Sequence, residues 1–133
     1  MTTSQAMFSE GQSMTKPPMF NGSNYVCWKE RMIIFLQSLD IKLWFIVNDR
    51  SYDVSIVDEE TGRPRPKTRS ELTARDKAHL SLNAKAMYVL YNALDSNESI
   101  RVKGSKSAKE IWDKLREIHE GSDNVREQKT FDY

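Results

Sequence analysis

A pair of prolines followed at once by a periodic apolar segment, from Pro17 to Leu39, constrains the fold of this chain more than any other stretch. The prolines prevent the following helix from extending through them towards the N-terminus, and they bias the residue before them to extended geometry. Gly22 is free to take a positive φ in the turn that follows, and Asn24 or Ser23 is placed to cap a helix. The segment therefore predicts a turn and then a helix that buries one face.

From residue 25 onwards the apolar side chains of this segment recur at helical spacing, and the aromatic residue before the cap is placed to fold back on the helix. The predicted core residues of this first element are Phe20, Tyr25, Trp28, Met32, Phe35, Leu36 and Leu39. Cys27 stands beside Trp28 on the same helix, so we interpret it as a core thiol and not as a nucleophile.

A short second helix is predicted from its cap, Asp40, through the apolar residues that follow, with Trp44 in the core. The β-branched and aromatic residues of this stretch also allow a strand. The region around residues 50–69 is the least regular of the chain. We expect one long irregular loop or a small β-hairpin there, after which Pro64 and Pro66 forbid regular structure.

A long helix, predicted from Ser70 or Thr73 to about Leu94, is the expected spine of the bundle. Its predicted core residues are Leu80, Ala84, Met87, Leu90, Tyr91 and Leu94. A short helix is predicted to follow, with Ser96 as its cap and Ile100 directed inward.

The last predicted helix begins at a capping box formed by Ser107 and Glu110, and it ends at Gly121. Its predicted core residues are Ile111, Trp112 and Leu115. We therefore expect three parts in the chain: a flexible arm over residues 1–16, a helical lobe over residues 17–121, and a tail or the start of a further helix over residues 122–133.

The composition suits one globular domain, because 133 residues with 38% hydrophobic side chains can bury a modest core. The net charge of +1 gives no whole-molecule argument for nucleic acid or membrane as a partner. One cysteine and two histidines make no familiar zinc site, and the chain carries no P-loop, hydrolase or metalloprotease motif. We expect no enzyme, no metal and no cofactor. Without a long apolar run or a leader segment, the predicted location is the cytoplasm.

Several segments carry a family resemblance: Phe20-Asn21-Gly22-Ser23-Asn24-Tyr25 with Trp28-Lys29, Leu43-Trp44, Asn83-Ala84-Lys85-Ala86, and Ser107-Ala108-Lys109-Glu110-Ile111-Trp112 with His119-Glu120-Gly121. In this order and approximate spacing they resemble the N-terminal region of the Gag polyprotein of copia-type LTR retrotransposons of plants. The resemblance implies an all-α, capsid-like lobe, a compact bundle of about five or six helices, that self-associates and packages RNA. It implies no catalytic residue.

The sequence departs from that family at its C-terminal end. The family's Gag continues through a second helical lobe and often a CCHC zinc knuckle, and neither follows here. The chain is then either an excised first lobe or a truncated copy retained by a host. Without the knuckle, RNA binding is not carried over from the resemblance.

Two aromatic residues, Phe45 and Tyr88, fall off the predicted apolar stripes and are the candidate protein-contact residues. The alternative is that both pack on the loop from Tyr52 to Arg69. The candidate RNA-contact residues are basic: Arg63, Arg65, Lys67, Arg69, Arg101, Lys103, Lys106 and Lys109. No aromatic residue is interleaved with the first four for base stacking, so a solvated loop that offsets the acidic residues 58–60 is the alternative interpretation.

These residues support three hypotheses about function. The first is a non-enzymatic Gag lobe whose partners are itself or other Gag chains in a virus-like particle. The second is a Gag-like adaptor that binds a host protein or interferes with Gag assembly. The third is a weak RNA-binding module, which predicts a steep dependence of affinity on salt.

Overall fold

The structure is a computed structural model that describes residues 16–49 and 52–120. The predicted tail over residues 122–133, the predicted helix end at Gly121 and the predicted arm, except Lys16, lie outside these residues. The described residues form a compact helical domain with five α-helices and one two-stranded antiparallel sheet. The expectation of an all-α bundle of about five or six helices with a small hairpin is confirmed.

The elements follow one another with short connections. The helices are α1 (Tyr25–Leu39), α2 (Ile41–Asn48), α3 (Ala74–Ala93), α4 (Ser96–Arg101) and α5 (Ala108–Leu115). The hairpin consists of β1 (Ser55–Val57) and β2 (Pro64–Pro66), and a 3₁₀ turn follows over Arg69–Glu71. α5 continues directly into a π-helical turn over Arg116–Glu120. Because the residues after Asp40 form the helix α2, the alternative of a strand there is wrong.

Side-chain caps begin most of the helices, as short polar residues before apolar periodicity predict. The side chain of Asp40 accepts a hydrogen bond from the Lys42 amide, and Thr73 accepts one from the Asp76 amide. Ser107 caps α5 through the Glu110 amide, but the Glu110 carboxylate accepts from Lys106 N and not from the cap residue. The capping box predicted there is therefore only half formed.

Two other caps differ from the prediction. Asp95, and not Ser96, caps α4, because its extended backbone places the carboxylate 2.9 Å from the Glu98 amide. Asn24 precedes α1 with a left-handed φ of 56°, and its side chain makes no capping hydrogen bond. Gly22 has a φ of 99°, as its place in the turn predicts.

The hairpin contains the two prolines that were expected to end regular structure. The register pairs Ile56 with Arg65, and Pro64 and Pro66 face the two residues beside Ile56. Hydrogen bonds join Lys67 N to Val54 O at 2.9 Å, and Asp58 N to Arg63 O at 2.8 Å. Since cross-strand bonding alternates along an antiparallel pair, the prolines fall on the positions that donate nothing across it. The prediction that they forbid a strand is wrong for this reason.

The core lies where α1, α2, α3 and α5 meet, and an aromatic series runs through it. Phe20 stacks on Trp28 with ring centroids 4.7 Å apart. The ring of Trp112 packs against those of Trp28 and Trp44, with a centroid distance of 5.7 Å in each case. Backbone hydrogen bonds from Phe20 N to Ala93 O, at 2.7 Å, and from Asp95 N to Phe20 O, at 3.1 Å, fasten the N-terminal turn to the end of α3. The first sequence feature is thus held against the spine of the bundle.

Most of the predicted core side chains are buried. The buried ones are Phe20, Tyr25, Trp28, Met32, Leu36, Leu90, Leu94, Ile111, Trp112 and Leu115. Four others are partly buried and pack against these: Phe35, Trp44, Met87 and Tyr91.

Five predicted interior positions are exposed, and each has a geometric reason. Ala84 lies on the outer side of α3 and Leu80 lies at the edge of its buried side, because Ala86, Leu90 and Ala93 form the buried stripe. That stripe is displaced by one residue, about 100° around the helix, from the predicted one. The remaining three are Leu39, Cys27 and Ile100.

The chain leaves the core at Leu39, because α1 ends there and Leu36 fills the last interior position. Cys27 is two positions from Tyr25 and therefore faces about 200° away from that buried ring. It is an exposed thiol and not a core thiol. In α4, Glu98 and the following Val102 are buried, so Ile100 between them faces outward.

Candidate protein-contact surface

A cavity of about 440 Å³ opens where the start of α5 and the chain before β1 meet α2 and α3. Its apolar lining comes from three parts of the chain and includes Phe45 and Ile46 from α2, Val54 from the chain before β1, and Leu80 from α3. Lys42, Lys106, Lys109 and Asp49 supply its charged lining. This volume and mixture are typical of a binding cleft.

Asn83 fixes the distance between α3 and the start of α5 at this cavity. Its Oδ1 atom accepts a hydrogen bond of 2.8 Å from the Ala108 amide. That amide belongs to the first turn of α5, where an N–H has no partner within its own helix. The side chain therefore joins two cavity walls and satisfies a donor at the same time.

An aromatic stack holds the chain before β1 against α3. The rings of Tyr52 and His79 lie 3.8 Å apart and 7° from parallel, and both line the cavity. The Tyr52 hydroxyl donates a hydrogen bond of 2.7 Å to Asp76 Oδ1. Asp76 and His79 are one helical turn apart on α3, so the hydrogen bond and the stack together hold Tyr52 against the first turns of that helix.

Asp76 is a buried carboxylate at the start of α3 that several groups satisfy. Lys67 Nζ lies 2.8 Å from Oδ2, and the Thr73 amide donates to the same oxygen at 2.9 Å. The hydrogen bond from Lys67, followed by those from Thr73 and Tyr52, holds the pKa of Asp76 well below its usual range. The same contacts raise the pKa of Lys67 and of Tyr52. The carboxylate is therefore ionised wherever the domain is folded near neutral pH.

The two candidate protein-contact residues lie in different surroundings. Phe45 is 49% exposed and lines the cavity together with Tyr52 and Val54. Tyr88 is 70% exposed, on the side of α3 that faces away from Leu90, and it does not line this cavity. Phe45 therefore shares a cavity with the start of the region on which both were alternatively expected to pack, whereas Tyr88 projects outward.

Four of the eight candidate RNA-contact residues lie in ion pairs. Arg65 forms a paired contact with Glu71 at 2.8 and 2.9 Å, and Lys67 is bonded to Asp76. These partners differ from the acidic residues 58–60 that the sequence suggested. The others that lie in ion pairs are Lys109, with Asp113 at 2.7 Å, and Arg101, with Glu98 at 3.8 Å. The exposed members are Arg63, Arg69, Arg101, Lys103 and Lys106.

A second polar contact, partly buried, joins the π-helical turn to α4. His119 Nε2 is 2.6 Å from Glu98 Oε1, and the His119 ring stacks on Tyr25 with centroids 5.5 Å apart. Lys29 Nζ lies 2.8 Å from the neighbouring Glu120. The last described turn is thereby fixed to α1 and α4.

Sequence reasoning missed three residues that line the cavity, Tyr52, His79 and Asn83. It also missed Asp76, which holds Tyr52 in place. Apart from the Thr73–Asp76 pair, the partners in these contacts are 9 to 27 residues apart, and a pattern of local spacing does not reveal such pairs. The only local signal was the pairing of Thr73 with Asp76, which matches a capping box.

Two further findings concern the described ranges, 16–49 and 52–120. Within them, no cluster of three or more His, Cys, Asp or Glu side chains is arranged to hold a metal ion. Nor does any helix there combine the length and apolar character that a membrane crossing requires.

The fold defines a small helical structural domain with an open, partly apolar cavity. The family model described as gag-polypeptide of LTR copia-type matches residues 32–132, and the chain belongs to this family. The resemblance to copia-type Gag seen in the sequence is thereby confirmed. Members of the family are in general structural and not enzymatic, and this chain is a structural Gag-like domain. Comparisons with curated proteins and with solved structures found no match.

Proposed function

We propose that this domain is a Gag capsid-like lobe that contacts other Gag chains during assembly of virus-like particles. The observation that carries the proposal is the exposure of Phe45 and Tyr88 on a packed helical scaffold. Large aromatic side chains are enriched at protein interfaces, where they bury much area with little loss of conformational freedom. Membership in the Gag family makes other copies of Gag the expected partners.

Isolated lobes of this kind are expected to associate weakly. A particle contains many copies of each contact, so each contact can be individually modest. An interface that buries less than about 1,200 Å² in total belongs to the weak, transient class. We therefore expect a monomer at low concentration and larger species as concentration rises.

The test is the molar mass of the purified chain, measured by light scattering behind a sizing column across a wide range of concentrations. The mass of the wild-type chain should rise with concentration. The variants Phe45→Ser and Tyr88→Ser should reduce that rise, because each removes an exposed ring. Ile34→Ser replaces a similarly exposed side chain on α1 and tests whether any loss of apolar surface has the same effect. A wild-type mass that stays at one chain throughout would refute self-association.

A further inference from the structure

The charged lining of the cavity is strongly unbalanced. Three lysines, Lys42, Lys106 and Lys109, stand against one acid, Asp49. Of the three, Lys109 is bonded to Asp113, whereas Lys42 and Lys106 are exposed and take part in no ion pair within the described part of the chain. The cavity thus combines an apolar lining with two lysines that have no acidic partner in the described residues. Such a surface suits an apolar segment that carries acidic residues.

The hairpin presents the complementary chemistry. At the end of β1, Val57 is 61% exposed, and Ile56 beside it is exposed as well. The next three residues are Asp58, Glu59 and Glu60, and none of them forms an ion pair in the ranges that the structure covers. An apolar strand end and an acidic turn are therefore adjacent on one exposed projection.

We propose that the hairpin of a second copy of this chain docks at the cavity, with Val57 against its apolar lining and Asp58, Glu59 and Glu60 facing Lys42 and Lys106. The proposal rests on the proposed self-association and names the two surfaces that make it. Val57, Glu59 and Glu60 are exposed, as are Lys42 and Lys106, and the opposite charges of the two surfaces steer and orient the contact.

The positions of the two surfaces favour a reciprocal pair. Val54 lines the cavity and lies only two residues before Ile56, so the hairpin and the cavity are neighbours on the same side of the domain. Two copies related by a twofold axis can then exchange hairpins, each docking at the cavity of the other. Such a contact uses the same patch on both subunits, as an isologous interface requires.

The experiment reverses the charges of each surface separately. One variant carries Lys42→Glu and Lys106→Glu, and the other carries Glu59→Lys and Glu60→Lys. Each should associate at least about tenfold more weakly than the wild type, because like charges then face each other. An equimolar mixture should regain association, since the acidic hairpin of the first variant meets the basic cavity of the second, and the reverse contact is again of opposite sign.

Matched controls use the same charge changes elsewhere. Lys77→Glu with Lys85→Glu, and Glu30→Lys with Glu117→Lys, alter exposed residues that do not line the cavity or lie on the hairpin. Both controls should associate as the wild type does. Circular dichroism of every variant should match the wild type, because all of these side chains are exposed. Rising salt should weaken wild-type association, since screening reduces the attraction.

A cross-link tests the contact independently of charge. In a Cys27→Ser background, a chain with Val57→Cys and a chain with Leu80→Cys, mixed under mild oxidation, should form a disulfide-linked pair, because Leu80 lines the cavity. The same mixture with Val26→Cys in place of Val57→Cys is the control, since Val26 is exposed on α1.

The outcomes separate this inference from the proposed function. If the wild type associates and both charge-reversed variants associate equally well, the hairpin–cavity contact is refuted while self-association stands. If the wild type stays monomeric at every concentration, both are refuted. If the Lys42 and Lys106 reversal removes binding of a poly-uridine oligonucleotide at low salt but leaves association unchanged, the lysines belong to an RNA contact and the inference is wrong.

Discussion

Acidic residues near the start of α3 each satisfy a backbone donor and a cation at once. Glu71 accepts a hydrogen bond from the Thr68 amide and pairs with Arg65, and Asp76 accepts one from the Thr73 amide and pairs with Lys67. In both cases the charged form is the one that is stabilised, so folding favours ionisation. Two carboxylates thereby couple the stability of the domain to pH.

Glu71 gives the clearest pH prediction. Its side-chain hydrogen bond with Arg65, and then the one from Thr68, lower its pKa from 4.5 to about 2. A group with a lowered folded pKa adds stability above its unfolded pKa and loses that stability as pH falls through the folded value. The urea concentration at the unfolding midpoint of the wild type should therefore decrease as the pH is lowered from about 4.5 to about 2. Glu71→Gln should lower the midpoint at pH 7 and flatten this fall without abolishing it, because Asp76 still titrates.

The control is Glu117→Gln, which alters an exposed glutamate in the π-helical turn. Its midpoint should follow the wild type at every pH. If Glu71→Gln shows the full wild-type dependence on pH between 4.5 and 2, the contact with Arg65 does not contribute to folding in the way proposed here.

The caps show why some residues could be predicted and others could not. Asp40, Thr73 and Ser107 act on amides two or three residues away, so their roles are visible in a short window of sequence. Lys67 and Asp76 are nine residues apart across a 3₁₀ turn, and nothing local distinguishes this lysine from its basic neighbours. Pairing between elements is decided by the tertiary fold.

At the scale of elements, the helices were predicted well but the orientation of α3 was not. Its 20 residues contain apolar side chains on more than one side, so two neighbouring stripes were compatible with the sequence. Packing selected the stripe with Ala86 and Ala93, whose small side chains allow close approach. The same holds for β2. Proline has a low propensity for strands, but the hydrogen-bonding register leaves Pro64 and Pro66 at positions that donate no bond across the hairpin, so the strand forms.

Asn83 allows the junction between α3 and α5 to be tested. Asn83→Ala leaves the Ala108 amide without its acceptor, so it should destabilise the domain by about 1–3 kcal/mol in urea unfolding. Asn92→Ala is the matched control, since it makes the same change at an exposed position of the same helix. Asn83→Asp retains the acceptor oxygen and should lose less stability than Asn83→Ala. Equal losses for Asn83→Ala and Asn92→Ala would exclude a role for this hydrogen bond.

At the scale of the whole molecule, one aromatic series connects segments that are distant in the chain. Phe20 lies in the N-terminal turn, Trp28 on α1, Trp44 on α2 and Trp112 on α5. The Trp28 indole also donates to Pro18 O at 2.8 Å, which holds the proline pair against the domain. A core shared in this way by four elements should unfold as one cooperative unit.

Trp112 is the residue on which this cooperativity depends most. It is buried and contacts both Trp28 and Trp44, so its removal leaves a cavity between α1, α2 and α5. Trp112→Ala should lower the free energy of unfolding by about 3–5 kcal/mol. Tyr88→Ala removes an aromatic ring that is mostly exposed, and it should change stability by no more than about 0.5 kcal/mol. In the wild type, tryptophan fluorescence and far-ultraviolet circular dichroism should report coincident urea transitions. Separate transitions would show that the series does not unite the four elements into one folding unit, even if Trp112→Ala is destabilising.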